Sequence, residues 1–161
     1  MDERRRGVGS DLSGDALKVA EMNREKLGIS KERCTFFKSD LFEKIEGDYD
    51  LIVSNPPYIR TEEIEKLQEE VRLYDPYEAL DGKEDGLYFY RRMISEAELY
   101  LRKGGSLLFE IGYDQAEEVS GLFKEAGFEQ IRVKKDLAGL DRVVGGVYNK
   151  ARENEEELTN V

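Results

Sequence analysis

Short apolar runs alternate along this chain with stretches whose apolar residues return every third or fourth position, and no other feature constrains the fold as much. The runs at residues 8–11, 34–37 and 50–54, "SLLFEIG" at 106–112, the alternating Ile131 and Val133, and residues 143–148 read as strands. Between them, "LSGDALKVAEMNREKLG" places Leu17, Ala20 and Leu27 near one face, with Ser13 as a cap and Gly28 as a stop. Leu87, Tyr90, Ile94, Ala97 and Leu101 predict a second helix stopped at Gly104, and Ala116, Val119, Phe123 and Ala126 a third ending at Gly127. Strand and helix in this order give an α/β fold with a mainly parallel sheet. The last two strands, with no helix between them, should pair as an antiparallel hairpin at one edge. Residues 50–54 are nearly all apolar, as in a parallel strand covered on both faces.

A chain of 161 residues is long enough for one domain with its own core. That domain is expected to reach residue 149, with the acidic stretch 150–161 as a frayed or disordered tail. No run approaches membrane-spanning length and no signal pattern opens the chain, so a soluble, cytoplasmic protein with no membrane partner is expected. The single cysteine, Cys34, excludes an intramolecular disulfide, and its neighbours Thr35 and Phe36 suggest a core thiol of little reactivity. With no histidine and no clustered thiols there is no basis for a zinc site, and any chemistry that needs a histidine base is excluded. A formal charge of −11 points away from direct nucleic-acid binding, and Arg4, Arg5 and Arg6 read as a solvated terminus. Residues 58–85 are polar and acidic, with Ile64, Leu67 and Val71 suggesting one short amphipathic helix; a connection this long is usually a binding loop or lid.

In open parallel sheets, ligands collect at the carboxyl ends of the strands. Three such ends carry Asp11, Asp40 and Asn55. Each has a local alternative: Asp11 can help start the helix after Leu12, Asp40 can cap "LFEKI", and Asn55 can be an ordinary turn residue. The run "DLIVSNPPYI" says more, because the residue before a proline is pushed to extended backbone and proline itself offers no donor. Asn55 is thus held at the sheet's end with two acceptors nearby, its own amide oxygen and a main-chain oxygen at Pro56. A fixed pair of acceptors suits a planar NH2 group with its two donors, and Tyr58 supplies a flat wall for it. Holding that nitrogen in line with an electrophilic carbon is catalysis by positioning and needs no acid or base residue.

"NPPY" at 55–58, with "DLSGDALKVAEMN", "SDLFE", "YDPYEALDGKEDGLYFYRRMI", "GGSLLFEIGYDQ" and "DLAGLDRVVGGVY", resembles the peptide-chain release factor glutamine methyltransferases over about residues 7–148. The resemblance implies a Rossmann-like class I methyltransferase sheet, S-adenosyl-L-methionine as cofactor, and a release factor as protein substrate. The target it implies is the side-chain nitrogen of the glutamine in a Gly-Gly-Gln loop. Asp11 would accept the cofactor's ribose hydroxyls, and Asp40 with Leu41 would contact its adenine. Asn55 and Pro56 would hold the substrate amide and carry the catalysis, with Asn55 also near the cofactor, Pro57 stiffening the loop and Tyr58 packing the substrate. Glu110 ends a strand near the same rim and receives no role.

The chain departs from the family pattern in lacking the first strand and its glycine-rich turn; "GVGS" at 7–10 stands immediately before Asp11, at the second strand's position. Residues 1–149 are therefore expected to be a partial catalytic domain from a truncated chain, binding its cofactor weakly. In the family fold the first strand lies inside the sheet, so its loss should leave two unpaired edges and favour self-association. Two other readings stay open: an adenine-N6 methyltransferase of nucleic acid, which shares NPPY, and a noncatalytic module that retains the fold.

Overall fold

The computed structural model describes residues 5–150, and the chain divides into two compact units, Met1–Gly47 and Asp48–Val161. The acidic tail expected over 150–161 lies, apart from Lys150, outside the described residues, as does Arg4. Among the described residues no helix is long and apolar enough to cross a membrane.

The first unit is a strand, a helix and a strand: β1 (Gly7–Asp11), α1 (Gly14–Lys26) and β2 (Cys34–Lys38). β1 and β2 pair in parallel, Gly7 opposite Cys34 through Asp11 opposite Lys38. Ser13 caps α1 by accepting the Ala16 N–H, and Gly28, at φ +66, turns the chain out of it, so both ends fall where the sequence places them. Among the described residues of this unit only Phe42 is a buried apolar side chain, while Leu12, Val19, Met22 and Leu27 are exposed. The Cys34 thiol is half-buried, not a core group as its neighbours suggested.

The second unit holds a four-stranded sheet in the order β3-β4-β6-β5, with β3 at Tyr49–Ser54, β4 at Leu101–Glu110, β5 at Glu129–Lys135 and β6 at Asp141–Tyr148. β3 and β4 are parallel, and β6 is antiparallel to both β4 and β5, so the expected hairpin forms and β5 is its outer edge. Three short helices, α2 (Thr61–Ile64), α3 (Glu69–Tyr74) and α4 (Tyr77–Leu80), occupy the acidic connection where the sequence suggested one. Then come α5 (Tyr88–Glu96) and, after β4, α6 (Ala116–Glu125), which ends at Gly127 as expected.

The core lies on one face of this sheet. Tyr90 of α5 meets Phe109 of β4, Phe109 meets Phe123 of α6, and Phe123 meets Phe128, ring against edge at centroid distances of 4.9–5.6 Å. Tyr90, Leu107, Phe109, Phe123 and Val144 are fully buried. On the other face Leu51 and Val53 are 54% and 67% exposed, so β3 is not covered on both sides as its apolar run predicted.

The helix predicted to run through Leu101 stops earlier, at Glu96, followed by a 3-10 turn at Ala97–Leu99. The Tyr49 N–H donates to the Tyr100 carbonyl at 2.7 Å and Leu101 faces Tyr49, so strand pairing takes over where helical spacing would have continued. Leu101 is buried either way, which is why its spacing misled. Gly104 is not a helix stop; it sits at φ +81 inside β4, where the register jumps from Tyr49–Leu101 to Leu51–Ser106.

Candidate functional site

β3 delivers the chain to Asn55 with its backbone pinned by pairing to β4, Ser54 lying opposite Phe109. There the ladder ends, since neither Pro56 nor Pro57 can donate. Asn55 is exposed, Pro56 is buried, and Pro57 and Tyr58 are half-buried. Among the described residues neither the Asn55 side chain nor the Pro56 carbonyl has a hydrogen-bond partner. Close to this turn, the Tyr90 hydroxyl donates to the Glu110 carbonyl at 2.9 Å. Burial, followed by the neighbouring Tyr58 and Glu110, pushes the Tyr90 phenol far above its ordinary range, so it remains a neutral donor.

Beyond Tyr58 the chain is held from several directions. The Ile59 N–H donates to the Leu80 carbonyl at 3.1 Å, the Gly82 N–H to Ile59 at 2.8 Å, and the Thr61 N–H to Lys83 at 3.0 Å. Asp81, only 5% exposed, accepts the Thr61 hydroxyl at 2.6 Å, the Lys83 N–H at 3.0 Å and the Lys83 ammonium at 2.8 Å. Burial raises the Asp81 pKa, but these hydrogen bonds outweigh it and hold the carboxyl below the usual aspartate range. Gln115 sits at the N-terminus of α6 and donates from Nε2 to the Tyr58 carbonyl at 3.0 Å. Beside it, the Arg60 guanidinium reaches Asp114 at 3.0 Å.

Two glycines make this close apposition of backbones feasible. A Cβ on Gly82 would lie 2.8 Å from the Tyr58 Cα and carbonyl carbon, and one on Gly86 2.5 Å from the Tyr58 oxygen. Gly86 is also at φ +74, a conformation that side chains resist. Sequence reasoning gave no role to Asp81, Gly82, Gly86 or Gln115. The glycines of "DGKEDG", two in a short acidic segment, were a signal for tight turns; Gln115 offered none.

In the first unit the ends of β1 and β2 bring Asp11, Asp40 and Leu41 together. The Ser39 N–H donates to the Asp11 carbonyl at 3.1 Å, and the Ser10 hydroxyl to the Leu41 carbonyl at 3.1 Å. Asp11 is exposed and accepts the Ser13 N–H on one carboxylate oxygen at 2.7 Å, which fixes its rotamer and leaves the other oxygen for a further donor. The same bond helps to start α1, and both uses fit one carboxylate. Asp40 caps no helix: residues 41–44 form turns, and the buried Ser39 hydroxyl accepts the Lys44 N–H at 3.0 Å. Leu41 stands at φ +48, left-handed for a branched residue, a strained conformation of a kind that clusters at ligand sites. An oriented carboxylate next to a strained, half-buried leucine suits a ribose and the flat base attached to it. The described residues of this unit offer no glycine-rich cradle for the rest of such a cofactor.

The methyltransferase small domain family matches residues 2–72. Release factor glutamine methyltransferases from Clostridium acetobutylicum, Agrobacterium fabrum and Geobacter sulfurreducens are 48%, 46% and 49% identical to this chain, over 84%, 86% and 86% of it. The chain spans about half the length of these relatives, 48%, 47% and 48% respectively. Among solved structures, a methyltransferase from Pyrococcus furiosus superposes with a TM-score of 0.65 at 14% identity, covering 90% of this chain and 64% of that one. The ribosomal protein L11 methylase of Lactobacillus delbrueckii subsp. bulgaricus does so with a TM-score of 0.61 at 17% identity, covering 92% and 72%. At such identities these two establish the fold, the Rossmann-like fold of class I methyltransferases. Over most of its length, this chain is thus similar in sequence to the release factor glutamine methyltransferases.

Proposed function

We propose that this chain carries the amide-binding site and part of the cofactor site of an S-adenosyl-L-methionine-dependent methyltransferase acting on the side-chain nitrogen of a glutamine. The substrate is a peptide-chain release factor, met at its Gly-Gly-Gln loop in the cytoplasm. The observation that carries this reading is the pair of acceptors at the end of β3: an exposed Asn55 side chain and a Pro56 carbonyl, neither engaged in a hydrogen bond with any described residue. The cofactor, when bound, supplies an electrophilic methyl group on a sulfonium.

Asn55 and Pro56 accept the two amide N–H groups of the substrate, which fixes the plane of the amide and the direction of its nitrogen lone pair. Pro57 keeps that pair from relaxing, and the ring of Tyr58 covers one face of the amide. Asp11 binds the ribose hydroxyls through the carboxylate oxygen that Ser13 leaves, and Asp40 with Leu41 borders the base. No histidine is needed, because the rate comes from orientation.

The test incubates the 161-residue chain with cofactor labelled in its methyl group and a peptide containing Gly-Gly-Gln. Label is expected on the glutamine and is lost with Asn55→Ala. An unchanged rate in Asn55→Ala, an unlabelled peptide at saturating cofactor, or label on the adenine of added nucleic acid overturns the reading. Affinity for the cofactor is expected to be weak, so calorimetry giving a dissociation constant of about 1 μM or below contradicts that part.

A further inference from the structure

We infer that Gln115 is a positioning residue for the amide site, its buried carboxamide fixing the exit of the Asn55–Tyr58 turn; the inference rests on the reading of Asn55 and Pro56 as the amide's acceptors. Gln115 is 2% exposed, and its Nε2 donates to the Tyr58 carbonyl at 3.0 Å and to the Gly86 carbonyl at 3.3 Å. Its Oε1 accepts the Gly112 N–H at 2.9 Å. The orientation of the amide is unambiguous, since two carbonyls require the nitrogen and one N–H requires the oxygen.

Two main-chain carbonyls from loops far apart in sequence thus converge on one buried point. Only a neutral group with two donors can join them: a carboxylate has none, a thioether has none, and a lysine or arginine would bury a charge. Gly82 and Gly86 keep the loops at backbone distance, with no room for a side chain at either position. The carboxamide therefore sets where the Tyr58 carbonyl sits.

Tyr58 is linked to the Pro56 carbonyl through Pro57, whose φ is locked by its ring. Pro56 is itself buried, and its φ is locked too. With so few soft dihedrals between them, a displacement at the Tyr58 carbonyl passes to the Pro56 carbonyl instead of being absorbed. An acceptor misplaced by about 1 Å is enough to cost about 10²-fold in a reaction that depends on orientation.

The experiment compares Gln115→Glu and Gln115→Met with the unmodified 161-residue chain. Both variants keep the volume and remove the donors, and the methionine variant serves where the glutamate variant does not fold. Amide hydrogen exchange measured on peptides spanning residues 55–61 is expected to quicken, while residues 105–110 of the central ladder keep their protection. In transfer to a Gly-Gly-Gln peptide, kcat is expected to fall about 10²-fold with KM for the cofactor unchanged. Burial raises the pKa of a glutamate placed at 115, so below that value its neutral acid regains one donor. Protection and kcat of Gln115→Glu should then recover in part as pH falls, which Gln115→Met cannot do.

Folded variants with ordinary exchange over 55–61 overturn the inference, and so does faster exchange with an unchanged kcat. A parent chain that transfers no methyl group refutes the proposed function alone, and the exchange measurements with their pH dependence then decide the role of Gln115.

Discussion

Substituting alanine at two glycines with nearly the same backbone conformation isolates the close approach at Tyr58. Gly86 and Gly139 lie at φ +74 and +83, so alanine pays a similar conformational cost at each, about 1–2 kcal/mol. A Cβ on Gly139 meets nothing within 4 Å, and the cost there should end with that term. At Gly86 the same atom would lie 2.5 Å from the Tyr58 oxygen and 2.6 Å from Gln115 Nε2, closer than a side chain can approach. The loops must part, and the Gln115 amide then loses one or both of its acceptors while still buried, a further cost of about 1–3 kcal/mol. Gly86→Ala should therefore destabilise the second unit by about 2–5 kcal/mol in all, beyond Gly139→Ala by about 1–3 kcal/mol. Urea unfolding followed by tyrosine emission measures it cleanly, because the chain has no tryptophan and all of its tyrosines lie in residues 48–161. Equal midpoints for the two variants, with equal slopes, would refute the idea that the approach is tight enough to matter.

Phe123 is fully buried between Phe109 and Phe128, so Phe123→Ala should cost about 3–5 kcal/mol by the same unfolding assay. Asp81 is held below the usual aspartate range, so its pairing contributes stability that is complete above the ordinary value of about 3.9 and disappears as pH falls through its depressed folded-state value. Stability of Asp81→Asn should be lower at neutral pH and less sensitive to acid below pH about 4; an acid limb with unchanged slope counts against that role for Asp81. Among the described residues of the second unit β3 pairs with β4 alone, and its Leu51 and Val53 are exposed, which leads us to expect self-association as concentration rises. Val53→Lys should suppress it in sedimentation experiments, and a chain that stays monomeric throughout would remove the premise.

How much of this was legible in the sequence depended on the range of the interactions involved. Helix α1 was readable to the residue because Ser13 and Gly28 act within a turn of the backbone they cap. The turn at Asn55 was readable for the same reason, as two adjacent prolines dictate their own geometry and that of the residue before them. The boundary between α5 and β4 was not, because Leu101 fits a helical stripe and a strand equally well, and pairing with Tyr49, distant in sequence, decided it. Leu51 and Val53 show the limit of reading burial from composition: an apolar run states what a strand could bury, while exposure depends on which elements reach that face. Gln115 was the least legible, since its partners Tyr58 and Gly86 come from loops with no periodicity to extrapolate.

The division of labour around NPPY separates two kinds of failure. Asn55 is exposed and its side chain makes no hydrogen bond with a described residue, so folding asks little of that side chain. Tyr58, by contrast, is tied through its carbonyl to Gln115 and its flanks are tied to residues 80–83, so folding asks much of the segment that carries it. A reaction that proceeds by orientation needs both: acceptors left free to take the substrate and a frame too constrained to let them drift. Removing an acceptor should abolish transfer at nearly unchanged stability, whereas loosening the frame should lower transfer and stability together. Plotted against each other, Asn55→Ala should thus fall far from the line joining Gly86→Ala, Gln115→Met and the parent chain. If all of them lie on one line, Asn55 acts through the fold like its neighbours, and the free acceptor pair is not what the site uses.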